Sequence, residues 1–136
     1  MVDVGRVLAL LERLQAETDE LAKLRDSEAL PGDETALAAA KYRFIVAIGT
    51  CIDVAEHVIA SEGLRSPDSF AEAFAVLGDV SFIEEDLAAD LQDMARFRNL
   101  LVHGYQRVDD ARVAEILRTR LDDFERFRAA IARVVS

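Results

Sequence analysis

Residues 34–61, from Glu34 to Ser61, read ETALAAAKYRFIVAIGTCIDVAEHVIAS, and apolar side chains occupy nearly every side of the helix that this spacing predicts. Ile45, Val46, Ile48, Ile52 and Val58 alone reach most of its circumference. A helix apolar all round belongs inside a protein or inside a membrane. Its most apolar part, Phe44 to Ala60, also contains Asp53, Glu56 and His57, which would be expensive in a bilayer. The segment therefore reads as a buried central helix, and the rest of the chain must be able to surround it.

The flanking segments fit that task. From about Asp3 to Leu24, Val4, Val7, Leu8, Leu11, Leu14 and Leu21 form one apolar stripe, with Glu12, Glu17, Asp19 and Lys23 off it. Asp26 to Asp33, with Pro31-Gly32, is a loop. Ser66-Pro67 reads as the opening of a third helix with Pro at its first position, and Gly78 as its close. Ser81 and Glu84 have capping-box spacing, so a fourth helix is expected to start there and run to about His103 or Gly104. Asp109 is placed to cap a fifth, striped by Val113, Ile116, Leu117, Leu121, Phe124, Phe127 and Ile131. No stretch alternates with period two. The expected fold is all-α, an up-and-down bundle of about five helices, with residues 1–136 forming a single domain around one core.

Composition narrows the function. One cysteine, Cys51, cannot form an internal disulfide, and no charged-then-apolar leader precedes the first helix, so a cytoplasmic protein with no membrane role is expected. Two histidines and one cysteine leave too few ligands for a dedicated zinc site. No Gly-rich phosphate loop or nucleophile elbow is present, and no cofactor is called for. The net charge of −10 argues against indiscriminate nucleic-acid binding, because phosphates are held mainly by Lys and Arg. That charge is uneven: acids gather in Glu12 to Glu34 and Glu84 to Asp93, whereas Arg96, Arg98, Arg107 and Arg112 cluster late in the chain.

The run that carries chemistry is Arg96-Phe97-Arg98-Asn99-Leu100-Leu101-Val102-His103-Gly104-Tyr105. Helical spacing groups Met94, Phe97, Leu100 and Leu101 as a core arc and sets Arg98, Asn99, Val102 and His103 on the opposite one. Arg98 and His103 are roughly 140° apart on an ideal helix, too far for both to grip one small group unaided. The Arg side chain could swing, the helix could distort at Gly104, or a second chain could complete the site. Taken singly, each residue has an ordinary explanation: a His favoured by the dipole at a helix end, an Asn near a glycine at a helix end, a solvated Arg. Taken together, they suit phosphodiester cleavage, with His103 moving a proton and Arg98 stabilising charge on the phosphorus oxygens.

Arg98-Asn99-x-x-Val102-His103-x-Tyr105 resembles the R-x-x-x-x-H signature of HEPN ribonucleases, and its extended form ending in x-Tyr is the pattern of HepT toxins. Ser66-Pro67 followed by Phe70 and Phe74 also looks like that family's third helix. The resemblance implies a HEPN-like helical bundle and a metal-independent endoribonuclease toxin with Arg98 and His103 catalytic and Asn99 supporting. It also implies a homodimer whose motif helices meet at a cleft. Finally, it implies a cognate MntA-type nucleotidyltransferase antitoxin that silences the toxin by adding AMP to the motif tyrosine, Tyr105.

Arg96, Arg107, Lys41 and Arg43 are candidate RNA contacts, although for Lys41 and Arg43 a solvated helix start is an equal reading. His57 follows Asp53 by one helical turn on an apolar helix and reads as a hydrogen-bonded structural histidine, and Cys51 as core. The rival function is a helical partner that presents substrates to a nucleotidyltransferase and cleaves nothing, which the net charge favours. A dimerisation protein without a ligand would leave the polar residues of the motif unexplained.

Overall fold

Six helices are built among residues 1–104 and 107–136, the residues that the structure, a computed structural model, describes. Four begin at a side chain that holds an otherwise unpaired backbone amide. Asp3 accepts from the Arg6 amide at the head of α1 (Val4–Asp26), and Asp33 from that of Ala36 at α2 (Glu34–Ser61). Ser69 accepts from Glu72 at α3 (Phe70–Asp79), and Asp109 from Ala111 at α5 (Asp110–Thr119). The other two, α4 (Glu85–His103) and α6 (Asp122–Val135), lack a side-chain cap and carry acids in their first turns. Negative charge there meets the positive end of the helix dipole. No strand occurs among the described residues, so the all-α reading stands.

The central position expected for residues 34–61 is the one observed, since α2 touches every other helix. By length and composition alone α2 could cross a membrane, but Phe44, Ala47, Ile48, Cys51, Val54, Ala55 and Val58 are buried inside the bundle. The Phe44 ring meets Phe97 of α4 edge-on at 5.4 Å and lies 6.4 Å from Phe124 of α6. Phe74 of α3 meets Phe127 of α6 at 5.8 Å. Such pairs stabilise by about 0.5–1.5 kcal/mol beyond the area they bury, and here they tie α2 and α3 to α6 and α2 to α4.

Several boundaries differ from the sequence reading, each for a local reason. The capping box expected at Ser81 and Glu84 does not form, because Ser81 is used to end α3. It sits at φ 61°, and the amides of Ser81 and Phe82 bond back to Gly78 O and Leu77 O, the double closure that ends many helices. A related arrangement occurs one helix earlier: Ser69 caps the Glu72 amide, while the Glu72 carboxylate accepts from the Asp68 amide and from Arg65. That fixes the start of α3 at Phe70 rather than at Pro67. Gly78 lies within α3, where the close approach of Ala88 from α4 leaves no room for a side chain. The stripe from Val113 to Ile131 is two helices rather than one. Arg120 ends α5 and turns its side chain to Asp123 Oδ2 (2.9 Å) and Asp90 O (3.2 Å), and the acids Asp122, Asp123 and Glu125 open α6.

Candidate active site

The motif occupies the last turns of α4, and the observed faces of that helix correct the sequence reading at Arg98, expected to face outward, and at Leu100, expected in the core. Leu87, Leu91, Met94, Ala95 and Leu101 are buried and define the core stripe, and at 100° per residue Arg98 falls in the middle of it. Leu100 falls outside and is 58% exposed. The expected arc grouped Leu100 with Met94, Phe97 and Leu101 by helical spacing; the longer register set by Leu87 and Leu91 excludes it. Asn99, Val102 and His103 do face outward as expected, with His103 and Val102 exposed and Asn99 half-buried.

Arg98 is therefore held rather than free. Its guanidinium carbon lies over the ring of Phe70, 5.1 Å from the centroid, and its Nη1 donates to Asn99 Oδ1 at 3.3 Å. Its Nε is buried and has no hydrogen-bond partner among the described residues. Leaving a buried donor unpaired costs on the order of 1–3 kcal/mol, so an atom in this state asks for an acceptor such as a phosphate oxygen.

Two clefts border the end of α4, and Asn99 and His103 line both. One, of 330 Å³, runs along Phe97, Leu100 and Val108 and has Arg107 and Arg112 beside it. The other, of 440 Å³, lies between Glu56 of α2, the Pro67–Phe70 turn and α4. Asn99 is the residue that joins the pieces, bonding Arg98 and sharing each cleft with His103. Arg107 and Arg112 are exposed and have no ion pair among the described residues. Arg96 is bound to Asp93 at 3.1 Å.

The remaining candidates are placed as follows. Lys41 is 6% exposed and lies 3.7 Å from Asp110, at the head of α5. Arg43 pairs with Glu17 at 3.1 Å, and that hydrogen bond pushes its pKa further up. Both are thus engaged inside the chain. Tyr105 lies outside the described residues. His57 Nε2 accepts the Asp3 amide at 3.1 Å, which ties the chain start to α2 and fits the structural role expected of it. Burial pushes the Cys51 thiol up, as befits a core residue. No group of three or more His, Cys, Asp or Glu able to hold a metal occurs among the described residues. Phe70, Glu56 and Val108 were not singled out as site residues by sequence. Only the folding of α2, α3 and α5 around α4 brings them to the motif.

An all-helical bundle with an arginine and a histidine five residues apart at one helix end is the arrangement that the HEPN resemblance implies. The fold superposes on a tri-AMPylated Shewanella oneidensis HEPN toxin in complex with MNT antitoxin, with a TM-score of 0.88 and 24% identity, over 98% of this chain and 99% of that one. It likewise matches YutE, a cytosolic Bacillus subtilis protein of unknown function, with a TM-score of 0.85 and 19% identity over 98% and 90% of the two chains. The ribonuclease HepT-like family matches residues 9–131, and the chain belongs to that family. Over 77 residues it is 34% identical to the mRNA nuclease HepT of Shewanella oneidensis, a match covering 57% of this chain and 58% of the length of that relative.

Proposed function

We propose that the chain is the endoribonuclease toxin of a toxin–antitoxin pair and that it cleaves RNA without a metal. His103 takes the proton from a ribose 2′-hydroxyl as that oxygen attacks the adjacent phosphorus. The P–O2′ bond forms, the P–O5′ bond breaks, and the leaving 5′-oxygen collects a proton. The products are a 2′,3′-cyclic phosphate and a 5′-hydroxyl. Arg98 offers its guanidinium to the phosphorus oxygens, where negative charge grows in the transition state. Asn99 holds Arg98 in place. Arg107, with Arg112 near it, lies along the 330 Å³ cleft and can take flanking phosphates.

The observation that carries this reading is the state of Arg98: stacked on Phe70, bonded to Asn99, and holding a buried Nε with nothing to donate to. Kinship to a nuclease family adds to it. The active form is a homodimer joined through the outer face of α4, where Leu100 and Val102, 58% and 42% exposed, flank His103. The antitoxin is a nucleotidyltransferase of the MntA type. It transfers AMP from ATP to the Tyr105 hydroxyl, with pyrophosphate leaving, and so sets charge and bulk two residues from His103. The second reading, a helical partner that cleaves nothing, draws on the net charge of −10.

Three substitutions test the proposal. Arg98→Ala and His103→Ala should each abolish growth inhibition and RNA cleavage in a folded protein, and cleavage by the parent should persist in excess chelator. Tyr105→Phe should stay folded but escape silencing by a co-expressed nucleotidyltransferase. If the arginine and histidine variants remain as toxic as the parent, the non-catalytic reading replaces this one.

A further inference from the structure

We propose that the 440 Å³ cleft between α2, the α2–α3 turn and α4 is a nucleobase subsite, in which one base of single-stranded RNA stacks on Phe70 beside the cleaved phosphate. The inference rests on the RNA-cleaving reading above and adds to it what lies next to the reacting group. The cleft is lined by Glu56, Pro67, Ser69, Phe70, Asn99 and His103. Its volume sits at the low end for small-molecule pockets, which suits one splayed base. Proteins that read single strands do so largely by stacking bases on aromatic rings and Arg planes. Phe70 is such a ring, 38% exposed, with Arg98 over it.

The platform is rigid before any ligand arrives. Phe70 is the first residue of α3, and the turn ahead of it is fixed by the Ser69 cap and by the Glu72 carboxylate, which takes the Asp68 amide and Arg65. Electrostatics divides the site between the two parts of a nucleotide. Glu56 and Asp68 border this cleft and repel a phosphate, so the uncharged base belongs here. Arg98 lies over one face of the Phe70 ring, which leaves the other to the base and keeps the phosphate beside it on the His103 side. A base seated on Phe70 would thereby fix the position of the bond being cut.

The test is binding, so that it does not depend on turnover. The probe is a fluorescent single-stranded oligoribonucleotide carrying 2′-O-methyl groups, which lacks the attacking hydroxyl, alongside an abasic strand of the same length. Parent, Phe70→Leu and Phe70→Tyr are compared at one salt concentration. Phe70→Leu should bind the base-bearing strand about tenfold more weakly than the parent. Phe70→Tyr should stay within about twofold, and all three should bind the abasic strand alike. Equal affinity of parent and Phe70→Leu for the base-bearing strand overturns the subsite and leaves the nuclease reading standing. The same loss on the abasic strand also overturns it, because Phe70 would then act only through Arg98. Failure of the parent to bind either strand removes both proposals together. Thermal melting of each variant shows that it is folded, and Phe70→Tyr keeps the ring should Phe70→Leu be unstable.

Discussion

Replacing Gly78 with alanine should destabilise the protein, although the same change inside most helices does the opposite. In an open helix position Gly→Ala gains about 1 kcal/mol, because alanine restricts the unfolded chain and favours helix. At Gly78 the new methyl carbon would stand 2.9 Å from Ala88 Cβ, where carbon atoms prefer about 3.5–4.0 Å. The obstacle is itself a Cβ and cannot rotate away, so α3 and α4 must part by about 0.6 Å or more. Overpacking of this kind costs about 1–3 kcal/mol, which outweighs the propensity gain. A net loss of up to about 2 kcal/mol is expected, or a Tm lower by up to roughly 8 °C, read by urea and thermal denaturation. The effect should reach the site, since α3 carries Phe70 and α4 carries Arg98, so cleavage should fall with stability. In an Ala88→Gly background the clash is absent and the substitution should regain its ordinary sign. A Gly78→Ala variant stabilised by about 1 kcal/mol, or a loss unchanged by Ala88→Gly, would refute the close approach as the reason for this glycine.

Two further outcomes concern charge. Glu72 is held below its ordinary value of 4.5 by the Asp68 amide first and by Arg65, so it contributes stability that is present above that value and lost as pH falls through the depressed one. Glu72→Gln should remove this part of the acid sensitivity, seen as a flatter Tm profile at acid pH. Arg120→Ala takes two hydrogen bonds from the α5–α6 junction and strips a partner from the buried Asp123, costing about 2 kcal/mol by denaturation. Burial already raises the Asp123 carboxyl, so the folded protein takes up its proton more readily than the unfolded chain does. The deficit should therefore shrink as pH falls through the folded value, measured against the parent at each pH.

The parts of the fold that rest on one-dimensional patterns were legible in the sequence. The apolar circumference of residues 34–61 announced a central helix, and α2 has both its expected limits and its expected central position. Asp109 caps α5 as its position predicted. What the sequence did not disclose were choices between competing local signals. Ser81 could start α4 or finish α3, and only the packing of α3 on α4 decides that it finishes α3 in a left-handed conformation. The acids at 122, 123 and 125 could be a solvated face or a helix start, and the bonds of Arg120 decide that they are a start. At the candidate site, Arg98, Asn99 and His103 were singled out in the sequence. The ring that holds Arg98 was not, because Phe70 is 28 positions away in sequence and meets it only through tertiary packing.

The place of Arg98 on α4 has a consequence for how such a chain can change. Leu87, Leu91, Met94 and Leu101 set a stripe in which position 98 is the natural site for another aliphatic side chain. Arginine there leaves a donor unpaired where leucine or methionine would pack. A population of variants screened for heat tolerance alone would drift toward Leu or Met at this position, and each gain would be a silent loss of the cation that the proposed reaction needs. If Arg98 acts as proposed, the motif persists only under selection for cleavage, and the most stable descendants of this sequence would be its most harmless ones.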